Sequence, residues 1–251
     1  HSVVQHFVNN QEDLIRLQTM VGDIGDLERI ISRAAAGKIA PREVMQLRRG
    51  LGQTDPIMKL CLGKGNEALD NMMKSITDCN ELLEYLGRTM HPETAAAVGK
   101  GDVIASGVSA ELDELRDIAR NGKDYLLKIQ ERETERTGIP SLKIGYNSVF
   151  GYYLEVRNTH KDKVPEEWVR KQTLVNAERY ITEELKEYEH KILGAEERIY
   201  LIETQIYAEL VARIQANISS IQKNCRIFAR LDVLSGFADR AMSNNYCRPK
   251  M

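Results

Sequence analysis

The chain has 251 residues, 42% hydrophobic and 29% charged, enough for one large or two ordinary domains with a sizeable buried core. Its 35 Lys and Arg against 37 Asp and Glu leave a formal net charge of -2, so bulk charge makes no case for nucleic acid and any such contact must come from local patches. No apolar run approaches bilayer length, no signal-like segment opens the chain, and Cys61, Cys79, Cys225 and Cys247 lack zinc-ligand spacing, so they read as reduced thiols of a cytoplasmic protein.

The chain starts at His1 without a methionine, and both ends read as cuts in a longer polypeptide. Over residues 11–36 Leu14, Leu17, Val21, Ile24, Leu27, Ile30 and Ile31 recur every three or four positions, which gathers one helical face. Gly22 and Gly25 are candidate breaks in that helix, and Gly37 a candidate C-cap. Pro41 suits the first turn of a second helix ending near Gly50. A short helix is expected over 54–62 and one longer helix over 66–90, where a stripe of Leu, Met and Ile reads as core packing. Scattered glycines make 91–107 an irregular connection, and Ser109 is the expected N-cap of a helix over 110–136 with Leu112, Leu115, Ile118, Leu126 and Ile129 inward.

The helical period stops at Gly138-Ile139-Pro140. Alternation of period two follows at 142–146 and a second β-prone run at 152–157, which most simply pair as a hairpin. Residues 158–167 are charged and turn-like, and 168–174 offer a third strand. From Thr182 the helical period runs on to about Ile221, a helix of roughly forty residues and about 60 Å. A last helix over 225–243 carries Phe228, Leu231, Leu234, Phe237 and Ala241 on its apolar side. The fold class expected is mainly α, with two long helices antiparallel as a stalk and a small β-rich insert at its tip. The divisions expected are 1–138, 139–181 and 182–251.

Several stretches together resemble the MutS family of bacterial mismatch-recognition proteins. They are Gly25-Asp26-Leu27-Glu28-Arg29-Ile30 with Pro41-Arg42-Glu43 and Leu47-Arg48-Arg49; Leu142-Lys143-Ile144-Gly145-Tyr146-Asn147 through Val149-Phe150 to Gly151-Tyr152-Tyr153; residues 170–180; and Leu231-Asp232-Val233-Leu234. Their order and spacing match together along essentially the whole chain, which corresponds to the middle of the family's polypeptide. The resemblance implies a helical core and lever carrying a clamp that closes, with a second MutS-like subunit, around double-stranded DNA. ATP and Mg belong to the longer family polypeptide, whose ATPase region lies C-terminal to this one and whose mismatch-reading domain lies N-terminal. No GxxxxGK[ST] loop occurs here, so no cofactor and no catalysis are expected of the chain itself, and no membrane partner.

In the insert, Lys143, Asn147, Arg170, Lys171, Gln172, Asn176 and Arg179 are the residue types that suit sequence-independent phosphate contact, and the resemblance makes them the candidate DNA-binding set, Asn176 foremost. The plainer reading of such residues is a solvated polar face. Val175 departs from the family, where Lys is frequent, which removes one phosphate contact. Tyr146, Tyr152, Tyr153, Trp168 and Tyr180 are expected to pack the insert's small core instead of stacking on bases. Asp23, Asp26, Glu28, Arg29 and Arg33 are read as ion pairs on a solvated helix. The five histidines, His1, His6, His91, His160 and His190, fall at no metal or triad spacing. The competing reading is a structural or partner-binding helical stalk, which should show a sustained heptad and a dimerising tip. A hydrolase hidden in the helices lacks any nucleophile and base at recognisable spacing.

Overall fold

The computed structural model describes residues 1–248, the side chain of Lys123 excepted. It divides into two compact units, His1–Val108 with Thr204–Met251, and Ser109–Glu203.

The first unit is helical. Its N-terminal part holds α1 (Ser2–Asn9), α2 (Gln11–Ile24), α3 (Leu27–Ala35), α4 (Pro41–Leu51), α5 (Thr54–Cys61), α6 (Glu67–Lys74) and α7 (Asn80–Thr89). The break after α2 falls at Gly25, where φ is +68°, and not at Gly22. Asp26 Oδ1 then accepts the Arg29 N–H at 3.0 Å and starts α3. At the other end of α3 Gly37 adopts φ +66°, and the Lys38 N–H reaches back to the Arg33 carbonyl at 2.8 Å, a Schellman closure. Pro41 opens α4 as expected.

The long helix expected over 66–90 is two helices. Its interruption at 75–79 is held by a residue far away in sequence: Asn224 Oδ1 accepts the Thr77 N–H and Asn224 Nδ2 donates to the Thr77 carbonyl, both at 2.8 Å. Asn224 is wholly buried on the last helix, α10 (Ile218–Ser243), so the backbone at Thr77 has its polar groups satisfied without helical bonds. Leu14, Leu17, Ile31, Leu47, Leu51, Ile57, Leu69, Met73 and Leu86 are inaccessible, each worth about 1.5–3 kcal/mol of transfer free energy. The helix α10 packs on α1, α2 and α3. It starts earlier than expected, because the C-terminal helical run is split at Asn217 into α9 (Glu183–Ala216) and α10. Phe237, expected inward on α10, is 59% exposed.

The second unit contains α8 (Ala110–Thr137), a four-stranded sheet and the first part of α9. Ser109 Oγ caps α8 by accepting the Leu112 N–H. The two helices run antiparallel, since partners descend α9 as they ascend α8. Arg116 pairs with Glu203, Tyr125 stacks on Tyr188 at 3.9 Å, and Arg132 pairs with Glu184. Gly122 lies under Ile192 with no room for a Cβ, which lets the helices approach closely. Ile118, expected inward, is 48% exposed.

Strands β1 (Lys143–Asn147), β2 (Gly151–Arg157), β3 (Val169–Thr173) and β4 (Ala177–Ile181) form an antiparallel sheet in the order β1-β2-β4-β3. The β1–β2 hairpin and β3 agree with the sequence reading; β4 was not expected, and it lies between β2 and β3. Leu154, Val156 and Tyr180 on one face pack with Trp168 against Leu126, Ile129, Leu185 and Ile192 of the helices. Alternation along each strand therefore turns the other face outward.

Candidate nucleic-acid interface

The sheet is seated on the helices by side chains that bind its backbone. Gln130 Oε1 on α8 accepts the Ile144 N–H of β1 at 2.8 Å, and Glu189 Oε2 on α9 accepts the Tyr152 N–H of β2 at 3.0 Å. Lys163 donates to the Gly138 carbonyl, and Arg136 pairs with Glu167 at 2.7 Å. The Arg136 guanidinium holds the Glu167 carboxyl below its ordinary range. In the same region Glu184 accepts from Arg132 and from the Tyr125 hydroxyl; the Arg132 bond holds its carboxyl low and the tyrosine is pushed up to about 12 by its bond to that carboxylate.

Strand register sorts the candidate residues into places that the sequence does not separate. Lys143, Glu155, Arg179 and Gln172 are successive cross-strand partners, so they form one polar row across the outward face. Within that row Arg179 donates to Glu155 Oε2 at 3.0 Å and to Gln172 Oε1 at 2.9 Å, and its guanidinium lies 4.3 Å from the Tyr153 ring centroid. That arginine is half-buried and holds three partners; Lys143 is exposed.

Ile144, Leu154, Tyr180 and Arg170 form the adjacent row, which belongs to the helix-packed face. Arg170 ends it at the β3 edge, 60% exposed, with Nη1 donating to Glu178 Oε1 at 3.1 Å. Glu178 is nearly covered and also accepts a hydrogen bond from the Tyr180 hydroxyl. That hydroxyl bond, with Arg170 behind it, holds the Glu178 carboxyl low, while burial first and the carboxylate second push Tyr180 up to about 12.

A bulge between Arg170 and Gln172 decides the row: Arg170 faces Tyr180 and Gln172 faces Arg179, leaving Lys171 as the extra residue, exposed. Regular pairing would have set Lys171 against Arg179, two like charges across strands. Asn176 is exposed in the β3–β4 turn beside Val175, which is 91% exposed. Asn158 braces this turn, its N–H donating to the Asn176 carbonyl and its Nδ2 to the Val175 carbonyl.

Asn147 is at the other end of the sheet. Its Oδ1 accepts the Val149 N–H at 2.8 Å and closes the β1–β2 turn, next to Gly151 and the Glu189 anchor. The structure therefore brings Arg170, Lys171, Gln172 and Asn176 to one hairpin, with Arg179 behind them in an ion pair, and leaves Asn147 apart. Sequence reading missed three neighbours of that hairpin. Arg157 ends β2 opposite Ala177, exposed; Asn158 follows it; and Lys161 lies close enough to Glu178 to draw its carboxyl down. A polar run directly after a strand was the available signal.

Of the aromatics, Trp168, Tyr180 and Tyr153 are buried in or on the sheet, whereas Tyr146 is 51% exposed. The cysteines are all free thiols, Cys61, Cys79 and Cys225 buried and Cys247 exposed; burial pushes Cys61 up to about 12 and Cys225 to about 11. Among the described residues no group of His, Cys, Asp and Glu could hold a metal ion, and no helix is long and apolar enough to cross a membrane.

Residues 107–198 match MutS family domain IV. The chain is 54% identical over 247 residues to the DNA mismatch repair protein MutS of Phocaeicola vulgatus, covering 98% of this chain and 28% of that protein. It is 52% identical over 249 residues to that of Christiangramia forsetii, covering 99% and 29%. To that of Flavobacterium psychrophilum it is 51% identical over 251 residues, covering 100% and 29%. The chain thus spans under a third of the length of these relatives. With a domain match across the sheet-bearing unit and about half of all residues identical along nearly the whole chain, the chain belongs to the MutS family.

Proposed function

We propose that the unit over 109–203 is a clamp that holds the backbone of double-stranded DNA without reading its sequence, and that the chain is the lever-and-clamp segment of a mismatch repair protein. The observation that carries this reading is the hairpin of β3 and β4. Arg170, Lys171 and Asn176 project there from a rigid sheet, beside exposed Arg157 and Lys161, a set able to neutralise and hydrogen-bond phosphate oxygens. Backbone contact fixes position on a duplex and carries no sequence information, which suits a protein that must hold any sequence.

On this reading the clamp meets that of a second MutS-like subunit across the duplex. The helices α8 and α9 transmit to it the nucleotide state of an ATPase region outside this chain, and neither hydrolysis nor discrimination of mismatches belongs to the chain itself. The test is duplex binding by the chain and by a variant with Arg170, Lys171 and Asn176 all replaced by Ala, across a salt series. Weak binding that falls with salt, equal for matched and mismatched duplex and lost in the variant, is expected. Loss of the two cations should flatten the salt slope by roughly 0.9 for each phosphate contact that it removes. Binding undiminished in the variant rules out this site.

A further inference from the structure

The cations of the hairpin differ in what they already hold. Arg170 is tied to Glu178 at 3.1 Å, and Arg179 to Glu155 at 3.0 Å, to Gln172 and to the Tyr153 ring. Lys143, Lys171, Arg157 and Lys161 make no ion pair among the described residues. The carboxylates that hold the two arginines are placed beside the site by the strand register: Glu178 is opposite Val156 and Glu155 is opposite Arg179. Glu178 is further fixed by the Tyr180 hydroxyl, itself buried in the sheet core.

A phosphate approaching Arg170 therefore meets a guanidinium whose Nη1 and charge are already shared with a nearly covered carboxylate. We propose that Glu178 is an affinity-limiting residue of the clamp: it competes with the DNA backbone for the Arg170 guanidinium and keeps the grip weak enough to be released. This rests on the clamp reading above. Glu178 is suited to the part because it is nearly covered and held by two donors, so an exchange of Arg170 from carboxylate to phosphate leaves it with the tyrosine bond and the field of Lys161. The exchange is an anion swap on one cation, which explains how the site can be built of strong donors and still bind modestly. Glu155 is a weaker competitor, because Arg179 released from it remains on Gln172 and over Tyr153.

The test is duplex binding over a salt series by the chain and by Glu178→Gln, Glu155→Gln and Glu166→Gln. Glutamine keeps an oxygen for the Tyr180 hydroxyl, so the sheet should persist, and thermal unfolding checks that it does. Glu166 is exposed on the same segment, with no ion pair among the described residues, so its substitution makes the same change of net charge without freeing an arginine. Glu178→Gln is expected to bind about tenfold more tightly at low salt, the worth of one charge-assisted hydrogen bond. Its salt slope should steepen by up to about 0.9, the phosphate contact that Arg170 makes in full only when no carboxylate shares it. Glu155→Gln should gain less and Glu166→Gln should shift affinity slightly with the slope unchanged. Adding Arg170→Ala to Glu178→Gln should abolish the gain.

Affinity and slope in Glu178→Gln no different from Glu166→Gln overturn the inference, as does a gain that survives Arg170→Ala. Absence of binding by both the chain and Glu178→Gln at low salt also overturns it, since freeing Arg170 should raise binding. If the chain binds and the Arg170, Lys171, Asn176 variant loses binding, but Glu178→Gln gains nothing, the clamp reading stands and this inference alone fails.

Discussion

The carboxylate of Glu189 occupies the space that a side chain at Gly151 would fill, and its Oε2 accepts the N–H of the next residue, Tyr152, at 3.0 Å. Gly151 also has φ +80°, a conformation costly for any residue with a Cβ. One glycine thus lets a helix carboxylate grip the backbone of the first hairpin. Its place in the family-like stretch Gly151-Tyr152-Tyr153 has a steric cause.

Gly151→Ala should lose about 1–3 kcal/mol of stability, from left-handed backbone strain and the clash with Glu189. Denaturant unfolding of the single and double variants checks it. Adding Glu189→Ala should recover the clash but not the strain, giving a coupling of about 0.5–3 kcal/mol. A purely additive pair would sink the steric account.

The pair Arg116–Glu203 lies inside the second unit at 2.7 Å, its side chains 6% and 2% exposed. Removing one partner leaves a charge in the interior, so Arg116→Ala should cost about 3–5 kcal/mol. Replacing both, as Arg116→Met with Glu203→Leu, should cost far less or nothing. Equal losses in the single and double variants, measured by urea unfolding, would show that the pair's charge is not what matters.

Asn224 supplies both a donor and an acceptor to Thr77, so Asn224→Ala should lose about 2–4 kcal/mol through two unsatisfied buried backbone groups. Asn224→Asp keeps the acceptor and can donate to the Thr77 carbonyl only while its carboxyl is protonated. Its buried carboxyl will resist ionisation, so its stability relative to the parent chain should improve as pH falls from 7 toward 4. Thermal unfolding at the two pH values reads this directly.

Glu43 accepts the Ala40 N–H at 2.9 Å, Arg29 at 3.0 Å and Arg33 at 2.8 Å, joining α3 to α4. The Ala40 bond first, then Arg29 and Arg33, hold its carboxyl below the ordinary 4.5. A carboxyl lowered by folding binds its proton more weakly in the folded chain. Its stabilisation is therefore complete above about pH 4.5 and is lost as pH falls through the folded value. Glu43→Gln should lower the unfolding temperature at pH 7 and approach the unsubstituted chain as pH falls below 4.5. A constant difference across that range would remove charge from the explanation.

Much of the fold was legible because it is written in local periods. Leu14 and Leu17 predicted the buried face of α2, Ser109 and Pro41 the starts of α8 and α4, Gly37 the end of α3, and the alternation at 142–146 with the β-prone run at 152–157 the first hairpin. The helix break at 75–79 was not legible, because its cause, Asn224, lies 147 positions from Thr77. Ile118 and Phe237 fit the apolar stripe of their helices and yet are exposed, since periodicity gives a face but not what covers it.

The candidate interface divides in the same way. Sequence by itself determined its inventory: Lys143, Asn147, Arg170, Lys171, Gln172, Asn176 and Arg179 in a strand-rich insert between two long helices. Tertiary structure decided their company. The strand β4, unforeseen, lies between β2 and β3, which sets Glu155 against Arg179 and Glu178 beside Arg170; a bulge at Lys171 sets Gln172 against Arg179, and Asn147 lies at the far end in the β1–β2 turn. Strand order and register are fixed by contacts distant along the chain, and a shift of one residue turns every side chain to the other face. Which cations are spoken for is therefore a property of the folded sheet and of no stretch of sequence.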